Sequence, residues 1–402
     1  MIRLKDTKHS TTASLLSSAI RTAEYYGFSP MEELERYPQS RDKKKNPKNE
    51  SEIIFARRDE RSLPSGARKL VACMKPPTPE GMRDAVLAWR VAGQSATNPY
   101  TSLELHIAGA SWAIAEALLI VVGNAIIQEA GIGQKVLSIN NIGSHESSNR
   151  FVRDIGVYLR KHIESISPTL RPRIVQDPLG TLVQLIERGH PAIPRAPQAM
   201  EYLTEEERRR FWELLEYLEV FGLPYELNGQ VLGSRDCWAH SLYEISAVDE
   251  ETGARIAVAF GGRYDPLASR LAGRTTPAVM ISINCEVRGS TRIKREMRGV
   301  PGIYFAHLGS EARRRALGVM EMLRGAAIPV HQGLYFDRIG EQMTAARNLA
   351  VPYILIMGHK EAMEGTILVR EVATNSQDAV PLPELPNYLK RHRVGNWRET
   401  RV

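Results

Sequence analysis

Gly261-Gly262-Arg263-Tyr264-Asp265 is the stretch of sequence that decides the fold. It follows two apolar segments, residues 238–245 and 255–260, that are predicted to form a β-hairpin, and it precedes a helix-like segment at 266–271. Paired glycines indicate either a backbone with positive φ or a close approach by another group. We therefore predict a turn at Gly261-Gly262 that closes the hairpin and leads into the helix.

Length and composition indicate a globular protein with more than one domain. The chain has 402 residues, of which 43% are hydrophobic and 25% charged, which is enough for two sizeable cores. Lys and Arg number 53 against 46 Asp and Glu, a net charge of +7. This mild basic excess is compatible with RNA binding, but charge also serves solubility, so it does not identify a partner.

The cysteines and the apolar segments indicate a cytoplasmic protein. Cys73, Cys237 and Cys285 are far apart and form no metal-ligand spacing, which predicts a reducing environment and no bound metal. The most apolar run, residues 108–127, contains Glu116 and Asn124, so we expect a buried helix and no membrane span. Residues 1–8 are charged and are not followed by an apolar stretch, so no secretion signal is expected.

Strand and helix patterns divide the chain into two predicted domains, 1–295 and 300–395, with the boundary in the basic stretch 288–300. In the first, helices are predicted at 10–28, in the apolar run ending near residue 131, at 151–165 and at 204–222, where Thr204 and Glu207 fit a capping box. Strands are predicted at 103–107, 135–140 and 277–284. In the second, strands at 302–307, 328–330, 353–357 and 365–371 alternate with helices at 311–324 and 339–349, which predicts an α/β domain with a partly parallel sheet.

Several of these segments resemble histidyl-tRNA synthetases. The Ser241 to Ile245 strand, the Gly261 to Asp265 stretch and Thr276 to Val279 follow the order of that family's catalytic core. Residues 340–343, 350–358 and 364–370 are similar to the anticodon-binding domain of class II synthetases. The resemblance implies an antiparallel sheet flanked by helices, a small C-terminal α/β domain, a homodimer, activation of histidine with ATP, and transfer to tRNA.

The family's substrate-binding positions are changed in this sequence. Its Leu-Arg-Pro-Glu stretch falls on Met74 to Pro77, which puts Pro77 where the carboxylate should be, although a shift of three residues would supply Glu80. Arg90 matches the ATP-binding arginine. Ile107 replaces a histidine-contacting amide.

Two further motifs depart from the family pattern. The Arg-Gly-Leu-Asp-Tyr-Tyr signature falls on residues 233–238, so Gly233 takes the catalytic arginine's place, Asp236 matches, and Cys237 and Trp238 replace the tyrosines. In the third class II motif, Val287 takes the place of the ATP-stacking arginine. Arg235 and Arg288 lie nearby and are the candidates for displaced roles.

These changes lead us to predict a degenerate paralogue that needs no cofactor and binds tRNA, another RNA or a protein, with RNA contacts in residues 300–395. Losing several positioned charges from one pocket leaves little activation chemistry. The remaining pocket candidates are Glu80, Asp236, Glu244, Gly261, Gly262 and Tyr264. We expect Arg263 to form a structural ion pair, with a role in an adenylate site as the alternative.

Two other functions stay open. An active, divergent histidine–tRNA ligase would use ATP and Mg²⁺ with Arg90, Arg235, Arg263 and Arg288. A regulatory subunit like that of ATP phosphoribosyltransferase ranks lower, because such relatives usually lack the C-terminal domain.

The remaining conspicuous residues have ordinary structural interpretations. His106, His145 and His162 lack ligand spacing and are expected to be ordinary polar residues. Trp112 and Trp238 are predicted core residues. The basic runs at 208–210, 313–315 and 41–50 are expected to be solvated, with contact to phosphate as the alternative.

Overall fold

The computed structural model describes residues 12–34, 66–74, 85–92, 100–249, 251–286, 301–336, 338–392 and 394. Within these residues the chain forms two sheets, one of eight strands and one of five. Several sequence predictions lie outside the described residues: Pro77, Glu80, Val287, Arg288, the lysine-rich run 41–50 and the proposed boundary 288–300.

The first sheet and its helices extend to residue 286. In chain order the elements are α1 (Thr12–Tyr25), β1 (Ser29–Pro30), α2 (Ala67–Cys73), β2 (Val86–Ala92), β3 (Tyr100–Ala108), α3 (Ile114–Glu129), β4 (Lys135–Asn141), α4 (His145–Lys161), α5 (Arg173–Gln176), α6 (Pro178–Glu187), α7 (Glu205–Phe221), β5 (Glu226–Leu227), β6 (Ala239–Val248), β7 (Arg255–Arg263), α8 (Asp265–Ala272) and β8 (Ala278–Glu286). Short 3₁₀ turns lie at Ile163–Ser165, Ile193–Arg195 and Ala199–Tyr202.

The strands of this sheet are ordered β1-β2-β3-β8-β7-β6-β4-β5. All neighbouring pairs are antiparallel except the two outermost, β1 with β2 and β4 with β5. The predicted antiparallel core flanked by helices is confirmed.

The prediction of a turn at Gly261-Gly262 is wrong. Both glycines lie inside β7, and neither has a positive φ. The hairpin turns earlier, around Asp249 and Gly253, where Gly253 has φ 67°. A Cβ atom on Gly261 would lie 2.5 Å from Cε2 of Tyr243 and 2.9 Å from Cα of Ile281. The glycine is therefore required by the close approach of neighbouring strands, the other reason for which paired glycines occur.

Alternating side chains give this sheet two different faces. One face is apolar and is represented by Leu103, Leu105 and Ile107 of β3, which pack in one core with α1, α3 and α7. The other face is bordered by α2, α4 and α8, which pack in a second apolar cluster. The helix predicted from the apolar run 108–127 is buried as expected, although it begins at Ile114.

A capping box begins α7, as predicted, and the same glutamate also caps α4. Glu207 accepts hydrogen bonds from the Thr204 amide at 2.8 Å, from the Ser144 amide at 2.6 Å and from Ser147 Oγ at 2.7 Å. Ser144 is the N-cap residue of α4, so that helix begins six residues before the predicted start. One carboxylate thus satisfies unpaired amides at the N-termini of two helices.

The second sheet is formed by residues 303–381. Its elements are β9 (Ile303–His307), α9 (Ser310–Gly325), β10 (His331–Gln332), α10 (Ile339–Asn348), β11 (Tyr353–Met357), α11 (His359–Glu364), β12 (Thr366–Glu371), β13 (Gln377–Pro381) and α12 (Leu385–Arg391). The strand order is β10-β9-β11-β12-β13, and β9 is parallel to both of its neighbours. The predicted partly parallel sheet is confirmed, but the strand expected at 328–330 lies at 331–332.

None of the helices in the described ranges is long and apolar enough to cross a bilayer.

Candidate functional site

A row of mostly polar side chains crosses the first sheet on the face opposite α3. The strands pair in register so that one residue from each of seven strands falls in line. The members of this polar row, from β2 to β5, are Arg90, Glu104, Ser282, Phe260, Glu244, Ser138 and Glu226. Arg90, Phe260 and Glu244 are half-buried, so this part of the sheet is accessible from solvent in the described structure.

The polar row is acidic. Glu104 lies 3.5 Å from Nε of Arg90, Glu244 accepts a hydrogen bond from Ser246 Oγ at 2.8 Å, and Glu226 accepts one from Ser138 Oγ at 2.7 Å. Of the seven residues, three are glutamates and one is an arginine. A triphosphate is bound by several converging cations. The described row does not by itself supply the several converging cations that bind a triphosphate.

A buried hydrogen-bonded chain lies beside the row. His106 Nδ1 is 3.0 Å from the hydroxyl of Tyr264, and His106 Nε2 is 3.3 Å from Glu104. Burial, together with the charges of Glu104 and Asp265, raises the pKa of Tyr264, so its hydroxyl stays protonated and donates to Nδ1. His106 then donates from Nε2 to Glu104. This arrangement links β3 to the end of β7 and agrees with the predicted ordinary polar role of His106.

Arg263 points away from the polar row. Successive residues of a strand face opposite sides of a sheet, so Tyr264 faces the row's side and Arg263 faces α3. The guanidinium is completely buried and binds Glu116 through Nε at 2.9 Å and Nη2 at 2.5 Å. It also donates to the carbonyl of Ala110 at 3.2 Å and to Asp265 at 3.3 Å. The geometry supports the structural interpretation of Arg263.

Glu116 is held in its charged form by two arginines. Burial alone would raise the pKa of this carboxyl, but Arg263 and Arg210 outweigh that effect and lower it to about 2. Arg210 lies 3.3 Å from Glu116, although it belongs to a basic run that was predicted to be solvated. The prediction is wrong for Arg210 because charge patterning in sequence does not reveal a buried partner.

The basic run on α9 and one tryptophan also depart from expectation. Arg314 binds Glu216 of α7 at 3.0 Å, and Arg313 lies over the ring of Trp112 at 5.5 Å. Trp112 is 41% exposed, so its predicted place in the core is wrong. Trp238 is 3% exposed and is a core residue, as predicted.

Arg235 and Asp236 lie in the segment before β6, outside the strands that form the polar row. Arg235 donates a hydrogen bond to Asn149 of α4. Asp236 is exposed. Arg235 therefore connects this segment to α4 through a hydrogen bond.

Gly233 is packed against an aromatic ring. A Cβ atom at this position would lie 2.6 Å from Cδ1 of Trp238. The indole is fixed in turn by edge-on contacts with Phe260 and Tyr264, at ring-centre distances of 5.5 and 6.4 Å. A side chain at the position that the family resemblance gives to a catalytic arginine would therefore require the indole to shift.

Ile107 lies on the wrong face to contact a ligand in the polar row. It is buried in the apolar core with α3, and its neighbours His106 and Ala108 face the other side. The replacement of a substrate-contacting amide by Ile107 is thus not supported by its position. Of the predicted candidates, Arg90 and Glu244 are in the row, and Gly261, Gly262 and Tyr264 are close to it.

Most of the polar row was missed from the sequence. Glu104, Ser282 and Ser138 sit between apolar neighbours in strands that were correctly predicted. A strict alternation, as in Leu103-Glu104-Leu105-His106-Ile107, shows that these polar side chains share one face. Applying this two-residue alternation to every strand would have identified the polar residues that share a face. It would not have given the order of the strands in the sheet.

The described ranges hold no group of three or more His, Cys, Asp or Glu side chains arranged to bind a metal ion.

Comparison with known proteins supports the resemblance. Residues 303–392 match the model of the anticodon binding domain. The histidine–tRNA ligase of Thermosynechococcus vestitus is 27% identical over 301 residues, which cover 74% of this chain and 68% of that protein. The histidine–tRNA ligase of a Cyanothece species is 28% identical over 71% of this chain and 67% of that protein.

These matches support the histidyl-tRNA synthetase family. Among solved structures, apo histidyl-tRNA synthetase of Staphylococcus aureus aligns with 97% of this chain and 100% of its own, with a TM-score of 0.48 and 16% identity. Residues 303–392, which include the five-stranded sheet, match the anticodon binding domain, and the mostly antiparallel eight-stranded sheet with its helices has the predicted class II synthetase-like fold.

Proposed function

We propose that this chain is a degenerate histidyl-tRNA synthetase-like protein that has lost histidine activation and binds tRNA or another RNA through its C-terminal domain. The proposal retains the two-domain division at 1–295 and 300–395 and a cytoplasmic homodimer, as expected from the sequence. It requires neither ATP nor Mg²⁺.

The observation that carries this proposal is the packing of Gly233 against Trp238. In the family signature, this pair of positions holds an arginine and a tyrosine. Here the indole lies where a side chain from residue 233 would begin, and Phe260 and Tyr264 fix the ring in that place. This packing supports the absence of an arginine at residue 233, because its side chain would need the ring to move.

The positions of the other arginines support the same conclusion. Bringing a carboxylate and a triphosphate together requires cations aimed at the phosphates. Arg263 is bound to Glu116 on the opposite face, and Arg235 is bound to Asn149 outside the row. Arg90 is beside Glu104, which offsets its charge.

Pyrophosphate exchange tests the loss of activation. Purified protein is incubated with Mg-ATP, labelled pyrophosphate and saturating histidine, alongside the histidine–tRNA ligase of Thermosynechococcus vestitus as a positive control. We expect no histidine-dependent exchange by this chain. Exchange above the histidine-free background would contradict the proposal and favour the active-ligase alternative.

RNA binding is tested separately. The match to the anticodon binding domain and the net charge of +7 support an RNA partner. We expect affinity for bulk tRNA that falls steeply between 50 and about 200 mM salt, because phosphate contacts release counterions. Absence of binding by folded protein, with co-purification of a biosynthetic enzyme from the native host, would favour the regulatory-subunit alternative.

A further inference from the structure

We infer that the C-terminal domain, residues 303–392, is locked onto the class II-like core of its own chain as one rigid body. The lock is a clasp formed by Thr22, Tyr25 and Tyr26 from the α1 region, Glu129 at the end of α3, and Glu321 and Arg324 on α9. This inference does not depend on whether the protein activates histidine.

Glu129 is the centre of the clasp. Its carboxylate accepts hydrogen bonds from Thr22 Oγ1 at 2.9 Å and from Ser18 Oγ at 3.3 Å, both on α1. The same carboxylate binds the guanidinium of Arg324 on α9. One side chain of the core therefore connects two core helices to the C-terminal domain.

Arg324 is fixed from a second direction. Glu321, one turn earlier on α9, accepts hydrogen bonds from Arg324 Nη2 at 2.7 Å and Nε at 2.8 Å. Glu321 also accepts a hydrogen bond from the buried hydroxyl of Tyr26. Glu321 therefore orients the guanidinium that binds Glu129 and makes a second contact to the core through Tyr26.

The two parts also satisfy each other's backbone groups. The hydroxyl of Tyr25 donates to the carbonyl of Ile328 at 2.9 Å and lies 3.3 Å from that of Met320, near the C-terminal end of α9. In return, Gln332 Nε2 of β10 donates to the carbonyl of Tyr26 at 3.0 Å, just after α1. Each part thus supplies a donor to a backbone carbonyl of the other.

Apolar packing continues across the same boundary. Leu16 and Ile20 of α1 belong to one core cluster with Leu317, Met320 and Leu323 of α9. Opening the two parts would expose these side chains to water, at a cost proportional to the apolar area.

A second contact prevents rotation about the clasp. Arg314, ten residues before Arg324 on α9, binds Glu216 of α7 at 3.0 Å, and Arg313 stacks over Trp112 of the core. Ten residues of α-helix span about 15 Å. Two attachments so far apart along one helix fix its orientation, so a ligand on the C-terminal domain is held at a constant position relative to the polar row.

Hydrogen exchange of the full chain tests the lock. Arg324→Gln removes the clasp's cation, and Arg315→Gln is the control, since Arg315 is exposed on the same helix. Loss of hydrogen bonds to a charged group predicts about tenfold faster amide exchange in α9 and α1 together. The control should match wild type.

A milder variant and calorimetry complete the test. Tyr25→Phe keeps the ring packing and removes only the hydroxyl, so it serves if Arg324→Gln fails to fold, and it should also accelerate exchange in both helices. Wild-type protein should unfold in one calorimetric transition. Faster exchange in α9 without α1, unchanged exchange in both variants, or two resolved transitions in wild type would each overturn the inference.

Discussion

Arg263 carries a charge into a part of the core that water does not reach. Its Glu116 partner is equally buried, so neither group can be solvated if the other is removed. Such a pair adds little to folding stability compared with well-packed apolar residues. Removing one partner lowers stability strongly, because the other charge stays buried without that partner.

Replacement of Glu116 tests this. Glu116→Gln leaves the guanidinium without its bidentate partner, and we expect the free energy of unfolding to fall by about 3–5 kcal/mol. Urea denaturation measures the change. Glu206→Gln, at an exposed position of α7, is the control and should be near neutral. A loss from Glu116→Gln no larger than that of the control would contradict the buried-pair assignment.

Gly261 offers a second test at a single residue. A methyl group there would collide with backbone atoms of β8 and with Tyr243, so Gly261→Ala should destabilise the protein by about 1–3 kcal/mol. Gly318→Ala is the matched control, because Gly318 is exposed inside α9 with open space around its Cα. Removing a helical glycine should stabilise by up to about 1 kcal/mol. If Gly261→Ala and Gly318→Ala shift the melting temperature in the same direction, the close-approach explanation is refuted.

Gly233 and Trp238 should behave as a coupled pair. Gly233→Arg introduces atoms against the indole and should cost about 1–3 kcal/mol through overpacking. Trp238→Ala removes the obstacle, so the double variant should be more stable than the sum of the two single changes predicts. Additive free energies of unfolding would show that the ring does not occupy the space of residue 233.

Among the helices, α4 and α7 depend on one carboxylate. Burial alone would raise the pKa of Glu207, but hydrogen bonds from Thr204, Ser147 and Ser144 outweigh it and lower the pKa from 4.5 to about 2. A carboxyl with a lowered folded-state pKa stabilises the protein above its unfolded pKa. That contribution is lost as pH falls from about 4.5 toward 2.

The pH dependence of unfolding tests this double cap. Between pH 4.5 and about 2, wild type should lose more stability than Glu207→Gln, whose amide does not titrate. Glu205→Gln, an exposed change in the first turn of α7, should keep the wild-type slope. Parallel slopes for wild type and Glu207→Gln would show that the carboxylate does not act as proposed.

Sequence periodicity predicted most elements because apolar spacing reflects local geometry. It predicted the Thr204 capping box correctly, because both partners lie within one turn of chain. It missed Ser144, whose capping carboxylate comes from Glu207, 63 residues away. The Gly261-Gly262 error has a similar origin, since the close approach is made by Tyr243 and Ile281 from other strands.

For the whole molecule, the contacts that matter join residues far apart in sequence. Tyr25 and Ile328 are separated by 303 positions, and no local pattern links them. The basic runs show the same limitation, because Arg210 and Arg314 each have a carboxylate partner on another helix. The candidate site was predicted only where family motifs fell on it, at Arg90 and Glu244.

The packing of Gly233 against Trp238 makes the effects of substitutions at these two positions depend on each other. A substitution that restores arginine at 233 meets the indole, and a smaller residue at 238 alone leaves a cavity beside Phe260 and Tyr264. Each single step back toward the family signature costs stability before the second can recover any of it. Under the proposed loss of histidine activation, restoring the family signature would therefore require both substitutions together.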